Sequence, residues 1–168
     1  MVLVETRSDF TVFLNSAIEA PNSDWVGELV GAAAQKGRGL VGGFICDSKG
    51  TIVEAGYSVQ AGRPVPLFKG LTPAQWTYAG VAGWPRNLVV PPINCCVVRT
   101  ASIPAAVTDP AELAVRLHRQ GLHNVAWPFV RLTLDAANTI EPSLAVSGPD
   151  PYLNPNLIVA DGVPTLRS

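Results

Sequence analysis

The 168-residue chain predicts a small α/β domain, a mixed sheet with helices on its flanks, and three observations carry that reading. Short apolar runs rich in β-formers recur along the first hundred residues. Two segments show apolar residues at helical spacing between a capping residue and a glycine stop. The length suits one domain with a core of its own, spanning residues 1–168.

The first run is Phe10–Leu14 (Phe-Thr-Val-Phe-Leu), read as a buried strand. Asn15-Ser16 ends it and a turn around Pro21-Asn22 follows. Asn22 or Ser23 can then cap a helix over about residues 24–35, with Trp25, Leu29, Ala32 and Ala33 on one face. Asp24 and Glu28 suit its dipole, and Gly37 and Gly39 stop it. Leu40–Cys46, the turn Asp47-Ser48-Lys49-Gly50 and Thr51–Val59 read as a hairpin, with Asp47 and Lys49 in solvent.

From Gln60 to Pro92 no periodicity survives. Prolines 64, 66, 73, 85, 91 and 92 punctuate a stretch that also holds Trp76, Tyr78 and Trp84. Disordered segments are poor in large aromatics, so this reads as one long ordered loop that either packs its rings or binds with them. Ile93–Arg99 is a buried strand. Thr108 or Asp109 caps a helix with Pro110 in its first turn, running to about Gln120 with Leu113, Ala114 and Leu117 inward. Gly121 ends it, Val125–Trp127 is a short strand, and residues 143–168 form an irregular tail lying on the domain.

Composition excludes several functions. Twelve basic and thirteen acidic residues leave a net charge of −1, so nothing steers the chain to nucleic acid or anionic lipid. Its apolar stretches fall far short of the ~20 residues of a membrane span. Glu5, Arg7 and Asp9 have no signal-peptide core behind them, and the expected location is cytoplasmic. With thirty Gly and Pro residues but few charges, the domain should be loop-rich with part of its surface covered, by a second copy or a partner chain. Cys46, Cys95 and Cys96 lack zinc-ligand spacing, and adjacent cysteines rarely pair, so small buried hydrophobes are expected. His118 and His123 have no third metal ligand nearby and read as surface residues at a helix end. Walker, GxSxG and HExxH motifs are absent, and the glycines within residues 36–43 read as a helix exit and strand entry.

Four segments, in this order, carry a resemblance. Phe10–Val59 runs from Phe-Leu-Asn through a Trp-leading helix and a Val-Gly strand to a hairpin closing on Ala-Gly. Asn94–Thr100 (NCCVVRT), the stretch AELAVRLHRQGLHNVAWPFVRL and Asp150–Leu157 (DPYLNPNL) follow. Together they resemble the middle and C-terminal part of family-two GT-A glycosyltransferases of the rhamnosyl and O-antigen type. The resemblance implies a truncated nucleotide-diphospho-sugar transferase fold, a nucleotide-sugar donor, and Mn²⁺ or Mg²⁺ bridging the diphosphate if the domain is active. The family's nucleotide-holding half would precede Phe10. A sheet cut there leaves a central strand without its neighbour, to be rearranged or covered by another chain.

Where the family has two acidic residues after Phe-Leu-Asn, this chain has Ser16 and Ala17, with Glu19 as the weak metal candidate. The base position, aligned on Leu113 and Arg116, falls on Pro110, flanked by Asp109 and Glu112 as weak catalytic candidates. Leu134 stands where the family often has a histidine, and the bridge from Thr100 to Thr108 lacks its acceptor element. The expectation is a catalytically degenerate glycosyltransferase-like domain acting through binding or oligomerisation. Its alternatives are an active or partial transferase and an interaction protein keeping only the fold.

For carbohydrate, Trp76, Trp84 and Arg86 are the binding candidates, the rings stacking on a sugar and the guanidinium holding an anion. Loop packing or an interface is the competing reading of the rings. Glu54, where the family often has a histidine, either takes a sugar hydroxyl or turns to solvent.

Overall fold

Leu40–Cys46 is buried at every residue, as a strand covered on both faces must be. In the computed structural model, which describes residues 8–20, 24–107 and 109–167, the elements are β1 (Phe10–Leu14), α1 (Trp25–Ala33), β2 (Arg38–Cys46), β3 (Ile52–Glu54), β4 (Tyr57–Gln60), β5 (Arg63–Pro66), β6 (Trp76–Thr77), β7 (Gly80–Val81), β8 (Arg86–Asn87), β9 (Cys95–Arg99), α2 (Pro110–Arg119), β10 (His123–Thr133), β11 (Leu157–Ala160) and β12 (Val163–Leu166). The Pro21-Asn22 turn and the proposed caps Asn22, Ser23 and Thr108 lie outside the described residues.

The main sheet runs β1-β9-β2-β10-β8, with β3 added to β2 beyond β9. It is mixed. β9 is antiparallel to both β1 and β2, whereas β2 and β10 run parallel. The chain is therefore an α/β protein with a mixed sheet. Alternation along β2 sends Val41 and Ile45 toward α1, where they join Leu29, Ala32, Ala33, Val97 and Leu132. Leu40 points the other way, into a layer with Phe13, Cys96, Val98, Leu113, Ala114 and Leu117 under α2. Each helix thus buries one apolar stripe against one face of the sheet. Among the described residues no helix is long and apolar enough to cross a membrane.

The close packing is written into single residues. A Cβ on Gly42 would collide with the carbonyl of Pro92, which crosses β2 at that point. Asn124 is fully buried. Its Nδ2 donates to Ala114 O at 2.7 Å and Val89 O at 2.8 Å, while its Oδ1 accepts from Leu40 N at 2.9 Å, tying α2 to the sheet.

Several expectations need correction. β1 is not buried: it is an edge strand with Phe13 inside but Val12 and Leu14 exposed, because its only partner strand among the described residues is β9. The strand expected over Thr51–Val59 breaks at Gly56, whose φ of 96° turns the chain, so that β3 pairs with β2 but β4 pairs with β5. The long loop of residues 60–92 carries the hairpin β6/β7 and the strand β8. The short strand at Val125 is eleven residues long, with an irregular register between Trp127 and Arg131 that admits Pro128. The irregular tail ends in the hairpin β11/β12. The remaining elements stand as read, with Asp109 capping α2 through Oδ1 on Ala111 N at 2.9 Å. All three cysteines are free and buried.

Candidate functional site

The hairpin β6/β7 holds its aromatic rings outward on a scaffold of short bonds. Thr77 Oγ1 donates to Gly80 O at 2.9 Å and accepts from Ala79 N at 3.1 Å. Ala82 N reaches Gln75 O and Gly83 N reaches Pro73 O, closing the base of the loop. Ala82 itself is buried and plugs it into the core. With its backbone so held, the loop leaves Trp76 at 74%, Tyr78 at 67% and Trp84 at 54% exposure. The two indoles meet edge to face at 5.6 Å. Packing of the loop does not account for these rings, because Ala82, not the aromatics, supplies its anchor.

Behind the hairpin lies a cavity of about 250 Å³ between it, β8 and the tail, lined by Tyr78, Arg86, Asn87, Asp150, Tyr152 and Asn154 over a floor of leucines. Arg86 enters from β8. Its Nη2 donates to Val81 O at 2.6 Å, its Nη1 more loosely to Ala79 O at 3.4 Å, and its Cζ lies 4.3 Å from the centre of the Phe68 ring. Burial lowers its pKa to about 10, so it stays cationic at neutral pH. The tail is fastened by Asp150, whose Oδ2 accepts from Ser58 Oγ at 2.8 Å and Val59 N at 2.9 Å and whose Oδ1 accepts from Tyr152 N at 2.9 Å. Tyr152 stacks edge to face on His118 at 5.6 Å. A second, shallower groove between Trp25, Glu28 and Phe129 lies open to solvent.

Trp76 and Trp84 are thus brought together with each other on the exposed loop, whereas Arg86 lines the cavity with Tyr78 and neither indole does. Glu54 is not part of it. It is 2% exposed and neither reaches solvent nor is free for a sugar, since Oε1 accepts from Tyr57 Oη and Ile93 N, both at 2.9 Å, and Oε2 from Asn94 Nδ2 at 2.9 Å and Asn94 N at 3.2 Å. Burial raises its pKa against the pull of those donors. Asn94 carries the network on: its Oδ1 accepts from Asn15 Nδ2 at 2.8 Å and Ile140 N at 2.9 Å.

The same network engages Asn15, the residue that opens the segment 15–19. The amide of Asn15 is consumed, Nδ2 by Asn94 and by Asn138 O, and Oδ1 by Ala17 N at 3.0 Å. Ala17 offers a methyl, and Glu19, whose backbone bonds both ways with Thr133, leaves one exposed carboxylate. A hard divalent cation needs several oxygens, and these residues do not fit it. No three His, Cys, Asp or Glu side chains converge among the described residues. Asp109 is spent on its cap, and Glu112 pairs with Arg116 on the helix surface at 2.6 Å.

Asp150, Tyr152, Asn154 and the buried Asn94 network escape a site reading of the sequence. The motif DPYLNPNL drew attention to the first three, but only the fold sets them opposite Arg86. No protein-family model matches the chain, and neither the curated proteins nor the solved structures contain a significant match.

Proposed function

We propose that the chain is a glycosyltransferase-like domain, degenerate at its metal and base positions, that works by binding carbohydrate at the aromatic-rimmed cavity. The observation that carries the reading is the exposure of Trp76, Tyr78 and Trp84 on one hydrogen-bonded loop, whose Tyr78 also lines a cavity with Arg86. Flat aromatic faces take the C–H side of a sugar ring, and fixed amide, phenol and guanidinium groups take its hydroxyls. Support for the family part comes from the order β1-β9-β2-β10, which brings strands of three of the four segments that carry the resemblance side by side in one sheet. Support for degeneracy comes from Ala17, from the consumed amide of Asn15 and from Pro110 at the start of α2.

The experiment is a thermal-shift series on the full chain with UDP-, GDP- and dTDP-sugars plus Mn²⁺, run beside free saccharides. A ligand of the folded state raises its melting temperature by mass action. Saccharides are expected to stabilise the chain, and nucleotide sugars with manganese to add nothing to the sugar alone. A manganese-dependent shift with any donor overturns degeneracy, and no shift with any saccharide overturns carbohydrate binding.

A reading as an assembly module is favoured by one observation: β1 offers an open edge with Val12 and Leu14 exposed. Such an edge is a template for a strand from a second copy or a partner chain.

A further inference from the structure

Arg86 is an unusual cation for its surroundings. Two ion pairs occur among the described residues, Lys69–Glu141 and Glu112–Arg116, and Arg86 belongs to neither. Its Nε is one of three buried side-chain polar atoms that find no partner among the described residues. Its bonds go to two carbonyls and an aromatic face, which orient a guanidinium without neutralising it.

The support beneath it is also strained. Phe68 is fully buried with φ at 60°, in the left-handed region a bulky residue rarely adopts. Strain of this kind persists only where the surrounding structure enforces it, and it gathers at ligand-holding positions. Here it sets the Phe68 ring under the guanidinium. Asp150, the carboxylate sharing the cavity, does not serve as counter-ion. It forms no ion pair with Arg86, and its oxygens are held by three neutral donors from Ser58, Val59 and Tyr152.

We infer that the cavity takes an anionic saccharide, a sugar bearing a carboxylate or phosphate, with its charged group on Arg86 and its ring against Tyr78 and Tyr152. The inference rests on the carbohydrate reading and narrows its ligand class. A planar guanidinium matches either group through paired N–H donors, and the outward Nη protons are free to serve. The cavity volume of about 250 Å³ suits one small polar ring better than a nucleotide.

The test is calorimetric titration of the full chain with glucose, glucuronate, glucose 1-phosphate and inorganic phosphate. At low salt, glucuronate or glucose 1-phosphate is expected to bind at least tenfold tighter than glucose. The preference should collapse in ~1 M NaCl, where the screening length is about 3 Å. In Arg86→Gln the ratio of charged-sugar to glucose affinity should fall to about one, and in Arg86→Lys it should partly return. The salt series on the unaltered chain decides the matter if Arg86→Gln fails to fold. Equal binding of glucose and both charged sugars overturns the anion seat and leaves the carbohydrate reading standing. Inorganic phosphate binding as tightly as glucose 1-phosphate, with glucose silent, keeps the anion seat and overturns the carbohydrate reading. Silence with every probe overturns both.

Discussion

Asn94 and Glu54 meet inside the domain, Nδ2 on Oε2 at 2.9 Å, and the contact closes a buried network that reaches Asn15 on β1. The carboxylate lies in a shell of four donors, so replacing it by an amide sets a donor against donors. Glu54→Gln is expected to cost on the order of 2–3 kcal/mol, read as a lower urea midpoint with unchanged slope. An unchanged midpoint would remove Glu54 from the account of stability.

The same residue predicts a pH dependence. Burial raises its folded-state pKa above the ordinary value of 4.5, so between the unfolded and folded pKa the native state holds more protons. Its contribution is therefore complete below the unfolded pKa and declines as pH rises through the folded one. Urea midpoints of the native chain minus those of Glu54→Gln, measured from pH 4 upward, should fall with rising pH. A difference that grows would reverse the sign assigned here.

The double variant Trp76→Ala with Trp84→Ala should fold normally, because both rings are mostly exposed. Each stacked ring is worth about 1 kcal/mol, so saccharide affinity should fall by roughly tenfold or more. Calorimetric titration reads the loss; full affinity in the double variant would return those rings to mere surface.

At Asn124 three bonds depend on one amide. Asn124→Ala should destabilise by about 3 kcal/mol, and Gly42→Ala by about 2 kcal/mol or more through its clash with Pro92. Denaturant midpoints near the native value in either variant would count against this packing.

The open edge of β1 makes a prediction about assembly. Sedimentation at micromolar concentration should find self-associated chain, and Leu14→Lys should shift it toward monomer, since a charge on an edge strand opposes pairing. A monomer before and after substitution would confine the chain to ligand binding.

Much of the framework was legible from residue order. The capped, glycine-stopped stripe of α2, the turn after Cys46 and the apolar runs of β2 and β9 rest on local chemistry that neighbours along the chain supply. The break at Gly56 was not legible, because it depends on where β5 and Val90 lie, far along the chain. Nor was the length of β10, whose alternation is interrupted at Pro128 yet resumes beyond it against β2.

By itself the sequence determined the α/β character, the lack of a carboxylate at Ser16, Ala17 and Pro110, and the presence of an aromatic loop, since each follows from residue identity. Only the tertiary structure decided that Glu54 is a sealed core carboxylate, and that Arg86, Asp150 and Tyr152, brought in by β8 and the tail, wall one cavity with Tyr78. The physical reason is distance along the chain. Charge and burial at those residues depend on partners some sixty positions away, and pairing of that kind is fixed by packing and not by local pattern.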